Sequence, residues 1–301
     1  MKAAIYWIAV ACGAAQYRLW AMSRDGTVLF QQDYDTPPEA MTLEAFETLL
    51  LDVLGATVTS PVPVIACGLS ASRHEWAEAA YVAVPCAPPI SEMATRVHTN
   101  APQLALYSVS GVKQANPADV MHGEETAIGG FLSLNSKFDG VICIAGRHSR
   151  WVHISAGEIV SFRSFMTQEL LSLLSEQSEL RHSIAKSGFD EAVFLDTVAA
   201  ALSQPKDFAA RLLSLQAEAL LDDLDPIHAR SRLSGLLIGV ELAAAKPYWL
   251  GQHVALIGDD ALCQLHAVAL GAQGLPVERT DGARMTLEGL KAAYAQLESV
   301  S

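Results

Sequence analysis

One pattern occurs twice in this chain, and it constrains the fold more than any other feature. Residues 3–11 form an apolar run rich in β-branched and aromatic side chains. The run breaks at small residues 12–16, resumes over 17–23, turns at Arg24-Asp25-Gly26 and continues with alternating character over 27–34. The second copy reads the same way: residues 141–145, a break at Gly146, residues 149–154, a turn at Ala156-Gly157, then residues 159–165. Helical spacing follows each copy. Strand, glycine turn, strand, tight turn, strand and then helices, written twice, predict an α/β protein of two lobes, each opening on a three-strand meander. The length of 301 residues, more than one core usually serves, agrees. Asn116-Pro117 is the expected joint, which makes residues 1–117 the N-terminal lobe and 118–301 the C-terminal lobe.

The connecting segments fill in the plan. Thr42 is placed to cap a helix running to Leu54, with Leu43, Phe46, Leu50 and Leu54 on one face. Residues 62–67 read as a buried strand ending at Gly68, and 104–109 as another. Helices are expected over 169–175, 190–202, 207–221 and 232–245. A strand over 253–257, a helix over 259–269, a short strand at 276–278 and a closing helix over 285–297 complete the chain. A net charge of −13 argues against a nucleic-acid partner, which requires a basic face. Five scattered cysteines without a C-x-x-C pair fit reduced, buried thiols and a cytoplasmic location. The apolar N-terminus continues directly into strand-like sequence, so it reads as the first strand and not as a signal peptide. No run approaches the ~20 apolar residues of a membrane span.

Chemistry concentrates between residues 121 and 157. Glu124 and Glu125 follow Gly123 at a helix start, where one of them can take a proton from a hydroxyl; the plainer alternative is a pair of first-turn acids favoured by the helix dipole. Gly146-Arg147-His148-Ser149-Arg150 joins two strands, so its backbone N–H groups and two guanidinium groups can meet an anion, although the arginines can equally be solvated surface charges. Gly258 ends a strand just before a helix, a second candidate phosphate-facing turn. Arg73, His74 and Trp76 lie in a polar loop, either contacting a substrate carboxylate or simply solvated.

Several segments then resemble, in order along nearly the whole chain, the 2-keto-3-deoxygalactonate kinase family of the actin-like sugar kinase superfamily. They are Cys67-Gly-Leu-Ser-Ala-Ser-Arg-His-Glu-Trp with Tyr81-Val-Ala-Val-Pro, Met121-His-Gly-Glu-Glu-Thr, Ala145-Gly-Arg-His-Ser-Arg-Trp-Val, Phe165-Met-Thr-Gln-Glu-Leu and Ser234-Gly-Leu-Leu-Ile-Gly-Val-Glu. The resemblance implies the two-lobed actin-like ATPase (ribonuclease H-like) fold. It also implies ATP- and Mg²⁺-dependent phosphorylation of the terminal hydroxyl of 2-dehydro-3-deoxy-galactonate. Glu124 would be the base, with Gly13, Gly146, Arg147, His148, Ser149, Arg150 and Gly258 around the nucleotide and Arg73, Trp76 and Glu125 toward the sugar acid. The expected partner is that small molecule, with neither nucleic acid nor membrane, and a homodimer is compatible. One departure is sharp. Where the family carries an Asp-Trp-Gly-Thr/Ser-Thr-Asn type of loop after the first strand, this chain reads Ala11-Cys12-Gly13-Ala14-Ala15-Gln16, with no carboxylate or hydroxyl. Arg147 also stands where threonine is usual, His122 in place of arginine and Gln168 in place of glycine. The metal ligands are therefore unassigned, and two functions follow: an active sugar-acid kinase, or a kinase-fold protein without catalysis that binds a ligand or partner. A phosphatase acting on phosphoanhydrides is a third, weaker option within the superfamily.

Overall fold

A computed structural model describes residues 4–13, 16–35, 41–55, 60–69, 80–89 and 94–300. The chain forms two compact units: Met1–Asp139 with Ile154–Ser161 and Gly282–Ser301, and Gly140–His153 with Phe162–Asp281.

The first unit opens with β1 (Trp7–Cys12), β2 (Tyr17–Met22) and β3 (Val28–Tyr34), the expected antiparallel meander. Helix α1 (Leu43–Leu54) follows, then β4 (Val62–Cys67), β5 (Tyr81–Ala83), β6 (Thr95–Arg96), β7 (Leu104–Ser108), β8 (Gly111–Gln114), β9 (Asp119–Met121) and α2 (Glu124–Leu134). The main sheet has the order β3-β2-β1-β4-β7-β6, with β1, β4 and β7 mutually parallel. Alternation along β1 sends Ile8, Val10 and Cys12 to one face and Trp7 and Ala9 to the other, and all five are buried. The first face is covered by α1, whose Thr42 hydroxyl accepts the Ala45 N–H at 3.1 Å and whose Phe46, Leu50 and Leu54 enter the core. The C-terminal helix, Gly282–Val300, covers the other face, where Tyr294 stacks on Trp7 with centroids 4.3 Å apart. That helix also meets α2 backbone to backbone. A Cβ on Gly130 would lie 1.9 Å from the Met285 carbonyl oxygen, and one on Gly289 would lie 2.0 Å from that of Thr126.

The second unit repeats the plan. Strands β10 (Gly140–Ala145), β11 (Ser149–Ser155) and β12 (Glu158–Phe165) precede α3 (Thr167–Glu176), α4 (Glu191–Ser203), α5 (Phe208–Leu221), α6 (Pro226–Ala244) and α7 (Lys246–Trp249). Then come β13 (Val254–Gly258), α8 (Asp260–Gly271) and β14 (Glu278–Asp281), and the C-terminal helix is α9. The sheet order is β12-β11-β10-β13-β14, with β13 parallel to both neighbours. Both sheets therefore place the meander's first strand beside the next core strand, which is the duplication the sequence predicts.

Three differences from the sequence reading have local causes. Helix α6 starts at Pro226 and not near Arg232, because Asp225 accepts the Ile227 and His228 N–H groups and proline takes the first helical position. The last strand sits at Glu278–Asp281, paired from Ala255↔Glu278 onward, while Val277 packs against the core. Asn116-Pro117 lies inside the first unit, in the turn between β8 and β9, where Gln114 Nε2 donates to the Pro117 oxygen at 2.9 Å. No single cut separates the units, since the hairpin end Ile154–Ser161 belongs to the first one, with Cys86 and Ile159 exchanging backbone hydrogen bonds of 3.1 and 2.7 Å. Among the described residues no helix is long and apolar enough to cross a membrane.

Candidate functional site

In each unit the candidate residues gather at the carboxyl ends of the two central parallel strands, the usual ligand edge of an open α/β sheet. In the first unit three backbones converge there. Gly68 follows β4 with φ +79°, and a Cβ on it would lie 2.2 Å from the Cys12 carbonyl oxygen at the end of β1. Gly123, with φ +114°, precedes α2, and its Cβ would lie 3.2 Å from the Gly68 Cα. Only glycine fits this approach, and it brings the start of α2 onto the strand ends.

The two glutamates there have separate surroundings. Glu125 is wholly buried; both its carboxylate oxygens accept the Gly123 N–H, at 2.8 and 2.7 Å, and the Thr126 hydroxyl donates to one of them at 3.2 Å. Burial, then the neighbouring Glu124 charge, pushes its carboxyl up to about 8, so it is mostly protonated at neutral pH. Glu124 is half-buried, and its Oε2 accepts the His122 N–H at 3.1 Å. The small sheet β5-β8-β9 frames the pair. Tyr81 lies 5.5 Å from the His122 ring, and burial together with the charges of Glu125 and Glu124 raises its phenol above the ordinary range.

In the second unit Ala145, which ends β10, pairs in register with Gly258, which ends β13. A Cβ on Gly258 would lie 2.1 Å from the Ala145 oxygen, so the Gly146 and Gly258 turns are immediate neighbours. The Gly146 turn is tied to α3. Glu169 Oε1 accepts from Arg147 at 2.9 Å, Oε2 meets His148 Nε2 at 2.5 Å, and the Glu169 N–H donates to the Arg147 oxygen at 3.2 Å. The hydrogen bonds from His148, then Arg147, hold the Glu169 carboxyl below its ordinary range. After Gly258, Asp259 caps α8 by accepting the Ala261 and Leu262 N–H groups. Beneath these turns lies a buried carboxylate, Glu241 of α6, which accepts from Trp151 Nε1 at 2.8 Å and from the Thr167 hydroxyl, with His266 Nε2 at 3.1 Å.

Of the residues singled out by sequence, the structure brings Gly13, Glu124 and Glu125 to one edge and Gly146, Arg147, His148 and Gly258 to the other. Ser149 and Arg150 are buried, and so is the Glu125 carboxylate, which leaves Glu124 as the more accessible of the two glutamates. Arg73, His74 and Trp76 lie outside the described residues, as do Ala14 and Ala15. Tyr81, Glu241 and His266 were missed as individual residues. Tyr81 and Glu241 stand inside recognisable motifs, while His266 carries no local signal, being a single histidine on an amphipathic helix.

No metal cradle is built at the first edge from the described residues. Strand β1 ends at Ala11-Cys12 and is followed by Gly13, the Cys12 thiol is raised well above its ordinary value by burial and by neighbouring Cys67, and Glu125 is committed to Gly123. No protein ligand for magnesium is assigned.

The duplicated sheets and their paired edges define a two-unit α/β protein of the actin-like ATPase, ribonuclease H-like class. In agreement, the nucleotide-bound activator of 2-hydroxyisocaproyl-CoA dehydratase from Clostridium difficile, only 10% identical, superimposes with a TM-score of 0.50 over 98% of this chain and 97% of that one. The profile of the family described as 2-keto-3-deoxy-galactonokinase matches residues 12–293, and the chain belongs to that family. A protein of Rhizobium meliloti named a probable 2-dehydro-3-deoxygalactonokinase is 33% identical over 306 residues, covering 97% of this chain and 98% of its own. A crystal structure of a candidate 2-dehydro-3-deoxygalactonokinase from Sinorhizobium meliloti is 32% identical, with a TM-score of 0.87 and 97% of each chain covered.

Proposed function

We propose that this protein transfers the γ-phosphoryl group of ATP to the terminal hydroxyl of 2-dehydro-3-deoxy-galactonate, with Glu124 as the general base. The observation that carries the reading is the division of labour within the glutamate pair. Glu125 is buried, hydrogen-bonded and mostly protonated, while Glu124 keeps a partly exposed carboxylate at the N-terminus of α2. Glu124 accepts the hydroxyl proton as the substrate oxygen bonds to the γ-phosphorus; the bond from that phosphorus to the β–γ bridging oxygen breaks, and ADP leaves. The Gly146–His148 and Gly258 turns of the second unit hold the nucleotide through backbone N–H groups, with Arg147 as the exposed cation. Ser149 and Arg150 support that loop from below. Gly13 closes the first edge, and Arg73 and Trp76 are assigned to the sugar acid on family resemblance. Magnesium, which would enter bound to the nucleotide, would neutralise phosphate charge there, and no described residue is assigned to hold it.

The test is a coupled ADP-release assay with Mg-ATP and the sugar acid, beside calorimetric binding of each. Turnover that vanishes in Glu124→Gln while both ligands still bind supports the reading. Sugar-acid binding without any ADP release would overturn it in favour of a non-catalytic binding protein.

A further inference from the structure

Three of the segments that stand out in the sequence meet at one side chain. Glu241 closes the Ser234-Gly-Leu-Leu-Ile-Gly-Val-Glu run on α6; Trp151 lies within the Ala145–Val152 run, and Thr167 begins α3 within Phe165-Met-Thr-Gln-Glu-Leu. Trp151 Nε1 and the Thr167 hydroxyl both donate to the Glu241 carboxylate. The fourth participant is His266 on α8. Its Nδ1 lies 3.0 Å from the Leu262 carbonyl oxygen, which can only accept, so Nδ1 carries a hydrogen. Its Nε2 lies 3.1 Å from Glu241 Oε1. Burial disfavours charge on both partners, yet each favours it on the other; His266 is held above its ordinary value and Glu241 below, giving an imidazolium against a carboxylate.

A fully buried ion pair is weak evidence for stability, since a well-packed apolar replacement often serves as well. What the pair does provide is fixed geometry between the elements it joins. Glu241 is itself held on a rigid post. A Cβ on Gly235 would lie 2.7 Å from the Phe194 oxygen, and one on Gly239 2.6 Å from the Ala201 Cβ, so α6 lies directly on α4 at those two turns. From that post one oxygen fixes Thr167, two residues before the Glu169 that clamps Arg147 and His148. The other fixes Trp151, on the strand leaving the Gly146 turn, and His266, on the helix that begins after Gly258.

We infer that Glu241 and His266 are positioning residues for the nucleotide: their buried ion pair sets the Gly146–Ser149 loop and the Gly258 turn at a fixed spacing. The inference rests on the assignment of the nucleotide to these turns.

The test separates the two claims. Turnover is measured with ATP varied at saturating sugar acid and the reverse, together with calorimetric binding of Mg-ADP and a thermal melt. The variants are Glu241→Gln, Thr167→Val and Thr167→Ser. Glu241→Gln should raise the KM for ATP and the Kd for Mg-ADP about tenfold or more, with the KM for the sugar acid within twofold. Thr167→Val, which removes one hydroxyl without changing shape, should raise both nucleotide constants about fivefold, and Thr167→Ser should restore them. Should Glu241→Gln fail to fold, the threonine pair carries the test alone. Nucleotide constants that stay flat while only the melting temperature falls would overturn the inference and leave a core ion pair. So would equal losses for both substrates. Stoichiometric divalent metal that disappears in Glu241→Gln would overturn it too, because Cys143, Glu241 and His266 lie close enough to share an ion. A wild-type protein that binds no nucleotide would instead refute the assignment on which the inference rests.

Discussion

Each unit buries a glutamate near the carboxyl ends of its parallel strands, and the surroundings push the two carboxyls in opposite directions. Glu125 in the first unit has backbone and hydroxyl donors but no cation among the described residues, so burial drives it to about 8 and it keeps its proton. Glu241 in the second unit has His266, so despite equal burial it stays charged. The strand orders around them match, β3-β2-β1-β4-β7 in one sheet and β12-β11-β10-β13-β14 in the other. The duplicated architecture therefore does not dictate the chemistry of the edges. With Glu125 neutral, Glu124, the proposed base, has no second negative charge at its side. A charged pair beneath two glycine turns fixes their geometry. On the proposed reading, one edge serves proton transfer and the other holds the charged ligand.

The largest expected effect tests that division directly. Glu124→Gln should lower kcat by about 10²- to 10⁴-fold, the usual contribution of a general base, with Mg-ADP affinity unchanged within twofold. A parallel loss of nucleotide affinity would break the contrast between the edges. Next comes the second unit's pair. His266→Ala strands Glu241 as a lone buried charge and should lower the unfolding free energy by about 3–5 kcal/mol, measured by urea denaturation. The first unit's buried acid should behave differently, since Glu125→Gln replaces one neutral acceptor by another and should change stability at pH 6 by less than about 1 kcal/mol. Equal losses in the two variants would mean that Glu125 is also charged.

A third test is steric. Gly68→Ala combines a positive φ with a Cβ 2.2 Å from the Cys12 oxygen, and it should reduce stability by about 2–3 kcal/mol. Because it separates β1 and β4 from Gly123, it should also lower kcat more than it raises the KM for ATP. Steady-state kinetics on the folded fraction reads this, and a change in nucleotide KM alone would place Gly68 on the wrong side of the comparison.

The pH dependence of stability gives the fourth. Glu125 has a folded value raised to about 8, above the ordinary carboxylate value, so between those limits the unfolded chain has already lost the proton that the folded one keeps. Its contribution makes stability fall as pH rises, by up to about 1.4 kcal/mol per pH unit, and the loss is complete above about 8. Glu241 acts with the opposite sign and His266 with the same sign as Glu125. The lowered Glu241 contributes stability above the ordinary carboxylate value and loses it as pH falls through its folded value; the raised His266 contributes below its ordinary value and loses it as pH rises through its own. Urea midpoints between pH 5 and 8 should flatten by one proton in Glu125→Gln. An unchanged slope would assign the titration to another group.

Much of this molecule was legible in its sequence because local patterns agree with the fold. The two meanders, the Thr42 cap and the Gly258 turn sit where residue periodicity and glycine placement put them. The small sheet β5-β8-β9 was not legible, since strands of three and four residues are too short to show a period. Nor could sequence reveal that Glu125, and not its neighbour, turns inward; that depends on Gly68 and Gly123 bringing α2 onto the strand ends. Likewise Glu241 and His266 stand 25 residues apart on different helices, and only the packing of α6 and α8 joins them. The motif that ends in Glu241 was visible without its purpose.

The smallest effect concerns Arg147, which sequence left open between surface charge and phosphate clamp. Its side chain is about half exposed and bonds Glu169 at 2.9 Å, so as an ion pair it belongs to a class worth about 0–1 kcal/mol. Arg147→Ala should therefore change the urea midpoint very little. The informative quantity is the KM for ATP. If the guanidinium leaves Glu169 to meet phosphate, its loss removes a charge-assisted hydrogen bond worth about 1.5–3 kcal/mol, an increase of about tenfold or more. If it only steadies the loop through Glu169, then Glu169→Gln should match Arg147→Ala, with both within about twofold to threefold of wild type. Unequal variants would place Arg147 on the nucleotide; equal ones would leave the backbone of the Gly146 turn, held from below by Glu241, as the phosphate-binding element.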